Sequence, residues 1–247
     1  MAAEQVTIRT RDGECPTRVF TPERGSGPWP AVILYMDGLA IRPALFEMAQ
    51  RMADGGYVVL LPDLFYRAGP YAPMDPKEIF SGGSVREKLA RFFTSTSKTL
   101  AAADSAAFIA YIDTRTDVRG TKIGVTGYCM GGGIALTVAA AYPDRIAAAA
   151  SFHGGNLATD DADSPHRLAP KIKARVYVAG ADKDEGYPRG QAERLEKALS
   201  EAHVDHRCEI YQGALHGWTM TDFPIFDAEA AERHWRELFK LFGETLG

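Results

Sequence analysis

The chain reads VTGYCMGGG at residues 125–133, and this stretch decides how the rest of the sequence is interpreted. An apolar run at residues 122–125 leads into it, and an alanine-rich run at residues 134–141 leads out. A strand, a tight turn that carries a nucleophilic side chain and a helix form the arrangement known as a nucleophile elbow. The residues two before and two after the nucleophile have to be small, and Gly127 and Gly131 meet that need. The stretch predicts Cys129 as a nucleophile at a helix N-terminus, where thiolate is favoured over thiol.

The composition is that of a folded protein with a large core. The chain has 247 residues, 46% of them hydrophobic, and a formal net charge of −4. This length and composition predict one domain over residues 1–247. The acidic net charge and the lack of a Lys/Arg cluster argue against a nucleic-acid partner. No apolar run approaches the length of a membrane span, so no membrane partner is expected.

The cysteines and the N-terminus indicate the compartment. Cys15, Cys129 and Cys208 are few, odd in number and far apart, which is typical of a reducing cytosol and not of a disulfide framework or a zinc site. The first ten residues are polar and alternate like a strand, so no signal peptide is expected. We therefore expect a cytoplasmic protein that is a monomer or a small homo-oligomer, with a small ester or lactone as its binding partner.

Strands and helices alternate along the chain after an N-terminal hairpin. Such alternation predicts a mostly parallel central sheet with helices on both faces. The loop expected at residues 156–170 is too short to hold a large lid domain. A longer irregular stretch, residues 62–84, contains four prolines and is expected to frame the pocket. The predicted strands are residues 5–9, 15–20, 31–36, 57–61, 122–125, 145–151, 172–179 and 207–211, and the predicted helices begin or lie at residues 43, 85–93, 100–112, 134–141, 187–202 and 228–242.

A cysteine nucleophile needs a base to accept its proton and an acid to hold that base in the right tautomer. On a fold of this kind they follow the nucleophile in the order acid, then histidine, each on a loop after a strand. Asp182 follows the predicted strand at residues 172–179, and His216 follows the one at residues 207–211. Asp184 lies two residues beyond Asp182 and stays open as an alternative acid.

Here the sequence resembles the dienelactone hydrolase (carboxymethylenebutenolidase) family of α/β-hydrolases over nearly its whole length. The motifs that carry the resemblance are GYCMGG at residues 127–132, PDLF at residues 62–65, AGAD at residues 179–182 and HGW at residues 216–218. The resemblance implies that Cys129 is the nucleophile, His216 the base and Asp182 the orienting acid. It also implies an oxyanion hole made by the N–H groups of Met130 and Gly38, the donors that elbow geometry suggests as well.

Two positions depart from the family pattern. The enzymes for which the family is named carry a glutamate at the position of Asp37, where it contacts the resting thiol. They carry an arginine at the position of Met220, where it binds the substrate's carboxylate. An apolar residue there removes a fork-shaped partner for a carboxylate, so dienelactone itself is not the expected substrate.

Five residues are candidates for contact with the substrate. His153 ends a predicted strand on the catalytic side, and it either lines the pocket or has a structural role. The other candidates are Asp37, Tyr66, Arg67 and Trp218.

The sequence thus predicts a cysteine-dependent hydrolase of small carboxylic esters or lactones with an α/β-hydrolase fold. The predicted mechanism passes through a thioester acyl-enzyme and needs no metal or organic cofactor. Two alternatives stay open: a general carboxylesterase with a different acyl substrate, and a non-catalytic binding module of the same fold.

Overall fold

One eight-stranded sheet organises residues 3–247, the part of the chain that the computed structural model describes. The strands are β1 (Glu4–Arg9), β2 (Glu14–Phe20), β3 (Ala31–Tyr35), β4 (Val58–Pro62), β5 (Ile123–Tyr128), β6 (Ile146–Phe152), β7 (Arg175–Lys183) and β8 (His206–Leu215). Their order is β1-β2-β4-β3-β5-β6-β7-β8. β2 runs antiparallel to β1 and β4, and the remaining neighbours are parallel. Every residue of β3, β4 and β5 is buried, as expected of parallel strands covered on both faces.

Helices pack on both faces of this sheet. In the described residues they are α1 (Pro43–Asp54), α2 (Pro76–Phe80), α3 (Val85–Lys88), α4 (Ala90–Ser95), α5 (Lys98–Asp113), α6 (Met130–Ala141), α7 (Arg189–Glu201) and α8 (Ala228–Leu246), with 3-10 turns at Tyr66–Ala68 and Pro165–Lys171. In β5, a Cβ on Gly124 would meet Phe242 of α8, and a Cβ on Gly127 would meet Gly131 of α6. Positions 124 and 127 point to opposite faces of a strand, so α6 and α8 lie on opposite sides of the sheet.

The segment between β4 and α5 departs most from the predicted elements. The sequence predicts an irregular loop at residues 62–84 and one helix at residues 85–93. The structure places α2 inside the expected loop and breaks the expected helix at Leu89 into α3 and α4. Asp75 and Ser84 begin α2 and α3 with side-chain oxygens that accept backbone N–H bonds, so local capping builds short helices here.

β7 and β8 extend further toward their carboxyl ends than predicted. β7 continues to Lys183 and β8 to Leu215, and these two residues are paired across the strands. Asp184 and His216 are therefore the first residues after two neighbouring parallel strands. Loops at the carboxyl ends of such strands lie at the same edge of the sheet, so the two side chains are brought together.

The predicted fold class is confirmed by this arrangement. The connection between β6 and β7 holds only a short loop and the 3-10 turn at Pro165–Lys171, so it contains no lid domain. Of the helices in residues 3–247, none combines the length and apolar character that a membrane crossing requires.

Candidate active site

Cys129 lies at the turn between β5 and α6 in a strained conformation. Its φ is 54°, in the left-handed region that side chains other than glycine rarely adopt. A Cβ at Gly127 would collide with the carbonyl of Gly131, and a Cβ at Gly131 would collide with the carbonyl of Tyr35. The elbow geometry expected from the sequence is thus present, for the steric reason expected. The role of Cys129 as nucleophile stays a prediction.

His216 and Asp184 form the hydrogen bond that a base and its orienting acid require. Nδ1 of His216 lies 2.7 Å from Oδ2 of Asp184, and the Asp184 side chain is only 4% exposed. Its other oxygen accepts the N–H of Gly186 at 2.8 Å, which fixes the carboxylate. Burial lowers the pKa of His216, but the hydrogen bonds to Asp184 and Cys129 outweigh it and raise that pKa to about 10.

The structure places Asp184, and not the predicted Asp182, beside His216. Oδ2 of Asp182 accepts the backbone N–H of Gly213 at 3.1 Å and so braces β7 against β8. Because β7 runs on to Lys183, Asp182 is still part of the strand and is exposed, and Asp184 is the carboxylate that follows the strand end.

One expected oxyanion donor lies in the elbow itself, and the other lies in the loop beside it. Met130 is the first residue of α6, where a backbone N–H has no acceptor within the helix. Gly38 lies in the loop between β3 and α1, and the start of this loop touches the elbow, because a Cβ on Gly131 would meet the carbonyls of Tyr35 and Met36. Phe93 of α4 covers Gly38, because a Cβ on Gly38 would lie 2.9 Å from the Phe93 ring.

Asp37, a candidate for contact with the substrate, is held by Arg42 instead. Arg42 donates to both oxygens of Asp37, at 2.7 and 2.8 Å, and the N–H of Leu39 donates to one of them at 2.8 Å. Arg42 also donates to Asp222 at 2.6 and 3.3 Å. Burial lowers the pKa of Arg42, but its two carboxylate partners outweigh it and raise that pKa above its usual value. Asp37 is therefore a structural residue.

His153 also has a structural role instead of lining the pocket. It is fully buried, and its Nδ1 accepts the backbone N–H of Cys129 at 3.1 Å. Nε2 must then carry the ring proton, and it donates to the hydroxyl of Thr219 at 2.7 Å. Burial, followed by the charges of His216 and His234, lowers the pKa of His153 well below 6.5, so the ring stays neutral. His153 joins the backbone of the elbow to the segment after His216.

Tyr66 and Arg67 lie at the end of the hairpin and not in the site. The Tyr66 hydroxyl donates to Asp104 at 3.1 Å and lies 2.7 Å from the Thr10 hydroxyl. Arg67 donates to Asp104 at 2.7 Å and to Asp12 at 2.8 Å. Both side chains therefore tie the β1–β2 hairpin to α5, which corrects their assignment as substrate contacts.

Trp218 and Met220 are core residues. Both are fully buried, and Trp218 packs edge-on against His153 with ring centroids 4.9 Å apart. The prediction that Trp218 lines the pocket is therefore wrong, and position 220 offers no surface to a substrate carboxylate.

The roles of Arg42, Thr219 and Phe93 could not be predicted from the sequence. Their contacts cross between distant segments, such as Arg42 to Asp222, and no local spacing signals them. Within residues 3–247, no group of three or more His, Cys, Asp or Glu side chains is arranged to hold a metal ion.

The fold and this site define a carboxylic ester or lactone hydrolase of the α/β-hydrolase class. The chain belongs to the dienelactone hydrolase family, whose model matches residues 15–246. It is 29% identical over 225 residues to a Synechocystis sp. protein named provisionally as a carboxymethylenebutenolidase, covering 89% of this chain and 88% of that one. It is 28% identical over 233 residues to a carboxymethylenebutenolidase of Pseudomonas putida, covering 94% and 92%.

A crystal structure from Klebsiella pneumoniae, titled provisionally as a dienelactone hydrolase, has the same fold. It superposes with a TM-score of 0.85 at 22% identity and covers 98% of each chain.

Proposed function

We propose that this enzyme hydrolyses small carboxylic esters or lactones through a Cys129–His216–Asp184 triad and a thioester acyl-enzyme. The observation that carries the proposal is the 2.7 Å bond between His216 Nδ1 and Asp184. It holds the imidazole in one orientation and leaves Nε2 to serve the thiol.

The raised pKa of His216 defines the resting state. With a pKa of about 10, His216 is protonated at neutral pH, and its hydrogen bond to Cys129 favours an imidazolium beside a thiolate. The helix N-terminus at Met130 favours the same thiolate. We propose that Cys129 attacks as this thiolate.

Acylation and deacylation then follow from the same three side chains. Sγ of Cys129 attacks the carbonyl carbon, and the negative oxygen accepts the N–H groups of Met130 and Gly38. The carbon–oxygen bond to the alcohol breaks as His216 gives its proton to the leaving oxygen. Neutral His216 next takes a proton from water, whose oxygen attacks the thioester; the carbon–sulfur bond breaks and the thiolate returns. Each oxyanion donor contributes about 3 kcal/mol in comparable sites.

The proposed substrate carries no carboxylate near the scissile bond. Met220 is fully buried, and the guanidinium of Arg42 is already bonded to two aspartates. Neither position can bind a substrate carboxylate, so neutral esters and lactones fit better than dienelactone. Met220→Arg would bury an unpaired charge and destabilise the fold without improving the use of carboxylate substrates.

A second candidate, a carboxylesterase for a larger apolar acyl group, is favoured by the exposed phenylalanines near the site. Phe93 covers Gly38 and is 37% exposed, and Phe80, 42% exposed, packs on Phe223. A series of p-nitrophenyl esters separates the two candidates. A rate that rises with acyl length supports the esterase, and one that peaks at acetyl or at small lactones supports the first proposal.

The test of the triad is hydrolysis of p-nitrophenyl acetate by wild type, Cys129→Ala and the control Cys208→Ala. We expect Cys129→Ala to lose about 10⁴-fold or more in kcat, as for other nucleophile removals, and Cys208→Ala to lose none. Intact mass after rapid acid quenching should show an added acyl group on wild type and on Cys208→Ala, and none on Cys129→Ala. Equal rates in wild type and Cys129→Ala would remove Cys129 as nucleophile, and inactivity of wild type on every ester and lactone would favour the binding module.

A further inference from the structure

We propose that Arg42 is a positioning residue that holds the oxyanion-hole loop in register with the histidine loop. The proposal rests on the proposed function of Cys129, His216 and Asp184. The oxyanion-hole loop is residues 36–42, and the histidine loop is residues 216–227.

Arg42 reaches both loops at once. On one side it donates to both oxygens of Asp37, the residue directly before Gly38. On the other side it donates to Asp222 of the histidine loop at 2.6 Å. A single side chain therefore links the loop of the oxyanion donor to the loop that carries the base.

A second contact strengthens the connection to His216. The guanidinium of Arg42 lies over the ring of Phe223, 5.1 Å from its centroid. Phe223 in turn covers Gly217, the residue after His216: a Cβ there would lie 2.8 Å from the Phe223 ring. Arg42 therefore packs on Phe223, which in turn packs on the backbone beside the base.

The oxyanion-hole loop needs such support because its backbone is strained. Ala40 has a φ of 65°, a conformation that costs free energy in a residue other than glycine and persists only where surrounding contacts enforce it. Nη1 of Arg42 donates to the carbonyl of Ala40 at 3.3 Å, and Arg42 itself is 1% exposed. One guanidinium thus fixes Asp37, Ala40 and Asp222.

Lysine cannot replace this arrangement. A guanidinium presents five donors in a planar fork, whereas an ammonium is a point charge that cannot bond both aspartates with the same geometry. In Arg42→Lys the charge remains but the loop is released. Acylation should slow because the Gly38 N–H no longer lies where the oxyanion forms.

The experiment compares acylation with alkylation in Arg42→Lys, Asp222→Asn and the control Arg51→Lys. Arg51 makes a similar two-bond ion pair with Glu232, but in solvent. Single-turnover acylation by p-nitrophenyl acetate reports the oxyanion hole. The rate of iodoacetamide alkylation of Cys129 reports the thiolate and His216, and needs no oxyanion hole.

We expect Arg42→Lys to acylate about 10²-fold more slowly, in line with loss of an oxyanion donor, while its alkylation rate stays within about twofold of wild type. Asp222→Asn keeps a neutral acceptor, so its acylation should slow by a smaller factor, about three- to tenfold. Arg51→Lys should match wild type in both rates. Guanidinium ion added to Arg42→Ala should restore part of the acylation rate.

Other outcomes separate this proposal from the triad. Wild-type acylation rates in both Arg42→Lys and Asp222→Asn overturn the role of Arg42 and leave the triad intact. Equal losses in acylation and alkylation also overturn it, since they indicate general disruption. Should Arg42→Lys fail to fold, Asp222→Asn, whose side chain is 28% exposed in wild type, decides the question alone. Failure of wild type to acylate contradicts the triad itself.

Discussion

Asp37 and Asp184 occupy similar places in the sheet but have different partners. Each follows the carboxyl end of a parallel strand, and each is almost fully buried, at 1% and 4% exposed. Asp37 pairs with the permanently charged Arg42, and Asp184 pairs with His216, which can gain or lose a proton. The first pair can only hold loops together, while the second can change state during a reaction. A buried aspartate in this fold therefore takes its role from its partner.

Between the two aspartates, the larger effect on activity is expected from Asp184→Asn, which removes the charge beside His216 and keeps the shape of the side chain. Without the carboxylate, the imidazole is no longer held in one tautomer and its imidazolium form is no longer stabilised. We therefore expect kcat to fall by about 10³- to 10⁴-fold. The kcat of ester hydrolysis measures this loss. Asp182→Asn, two residues away on the strand, is the matched control and should stay near wild type. A greater loss in Asp182→Asn would return the role to the residue first predicted.

Asp37→Asn should have the opposite effect: it should lower the free energy of unfolding more than it changes the proton transfer by His216. Removing one partner of a buried ion pair destabilises, and we expect a loss of about 2–3 kcal/mol in the free energy of unfolding, because Asp222 still pairs with Arg42. Urea unfolding measures this loss. Asp113→Asn is the control: its pair with Arg145 is partly exposed, at 49% for Asp113 and 27% for Arg145, so stability should change by less than about 1 kcal/mol. Equal losses at the two sites would contradict the fixed role of Asp37.

The two pairs should also respond differently to pH. The pKa of His216 is about 10 when folded, above its usual value near 6.5, so the folded state favours the protonated ring. This contribution to stability is complete below about pH 6.5 and disappears as the pH rises toward 10. The raised pKa of Arg42 keeps its pair charged throughout.

Thermal unfolding of wild type and His216→Ala between pH 6 and 10 measures the difference. The advantage of wild type in Tm, about 3 °C at pH 6, should shrink steadily as the pH rises, because only the histidine pair titrates. A difference in Tm that is constant across this range would mean that the ring is not held protonated by Asp184 and Cys129.

The smallest effect is expected from Phe93, whose ring covers Gly38 in the oxyanion-hole loop. In Phe93→Ala, kcat/KM for butyrate esters should fall about tenfold relative to acetate esters, because the longer acyl chain loses its apolar contact. The ratio of the two rates is the readout. Phe239→Ala, which removes a ring packed between Tyr57 and Trp235, is the control and should leave the ratio unchanged. An unchanged ratio in Phe93→Ala would place the acyl group elsewhere.

The elbow and the sheet could be predicted from the sequence because their signals are local. Gly127 and Gly131 flank one cysteine at fixed spacing, and buried parallel strands are continuous apolar runs. The short helix α2 was missed because polar and proline-rich sequence resembles a loop until capping by Asp75 is recognised. The helix predicted at residues 85–93 is present, but it is divided into α3 and α4 at Leu89.

The acid and the ionic contacts could not be predicted for a different reason. Asp182 and Lys183 continue β7 although both are polar and exposed. A strand predicted from apolar residues therefore ends too early, and Asp182 is taken for the aspartate that follows it. Arg42 meets Asp222 across 180 residues of chain, and only the folded arrangement shows that pairing. His153 ends a strand as expected, but its burial depends on Thr219 and Trp218 from another loop.

The three cysteines have a consequence for oxidation. A thiolate beside an imidazolium, as proposed for Cys129, is the form that peroxide converts to sulfenic acid. Burial raises the pKa of Cys15 to about 12, and burial followed by Glu196 raises that of Cys208 above its usual value, so both stay protonated. A sulfenic acid on Cys129 therefore finds no reactive thiol in its own chain to form a disulfide with, and recovery depends on thiols in the surrounding solution.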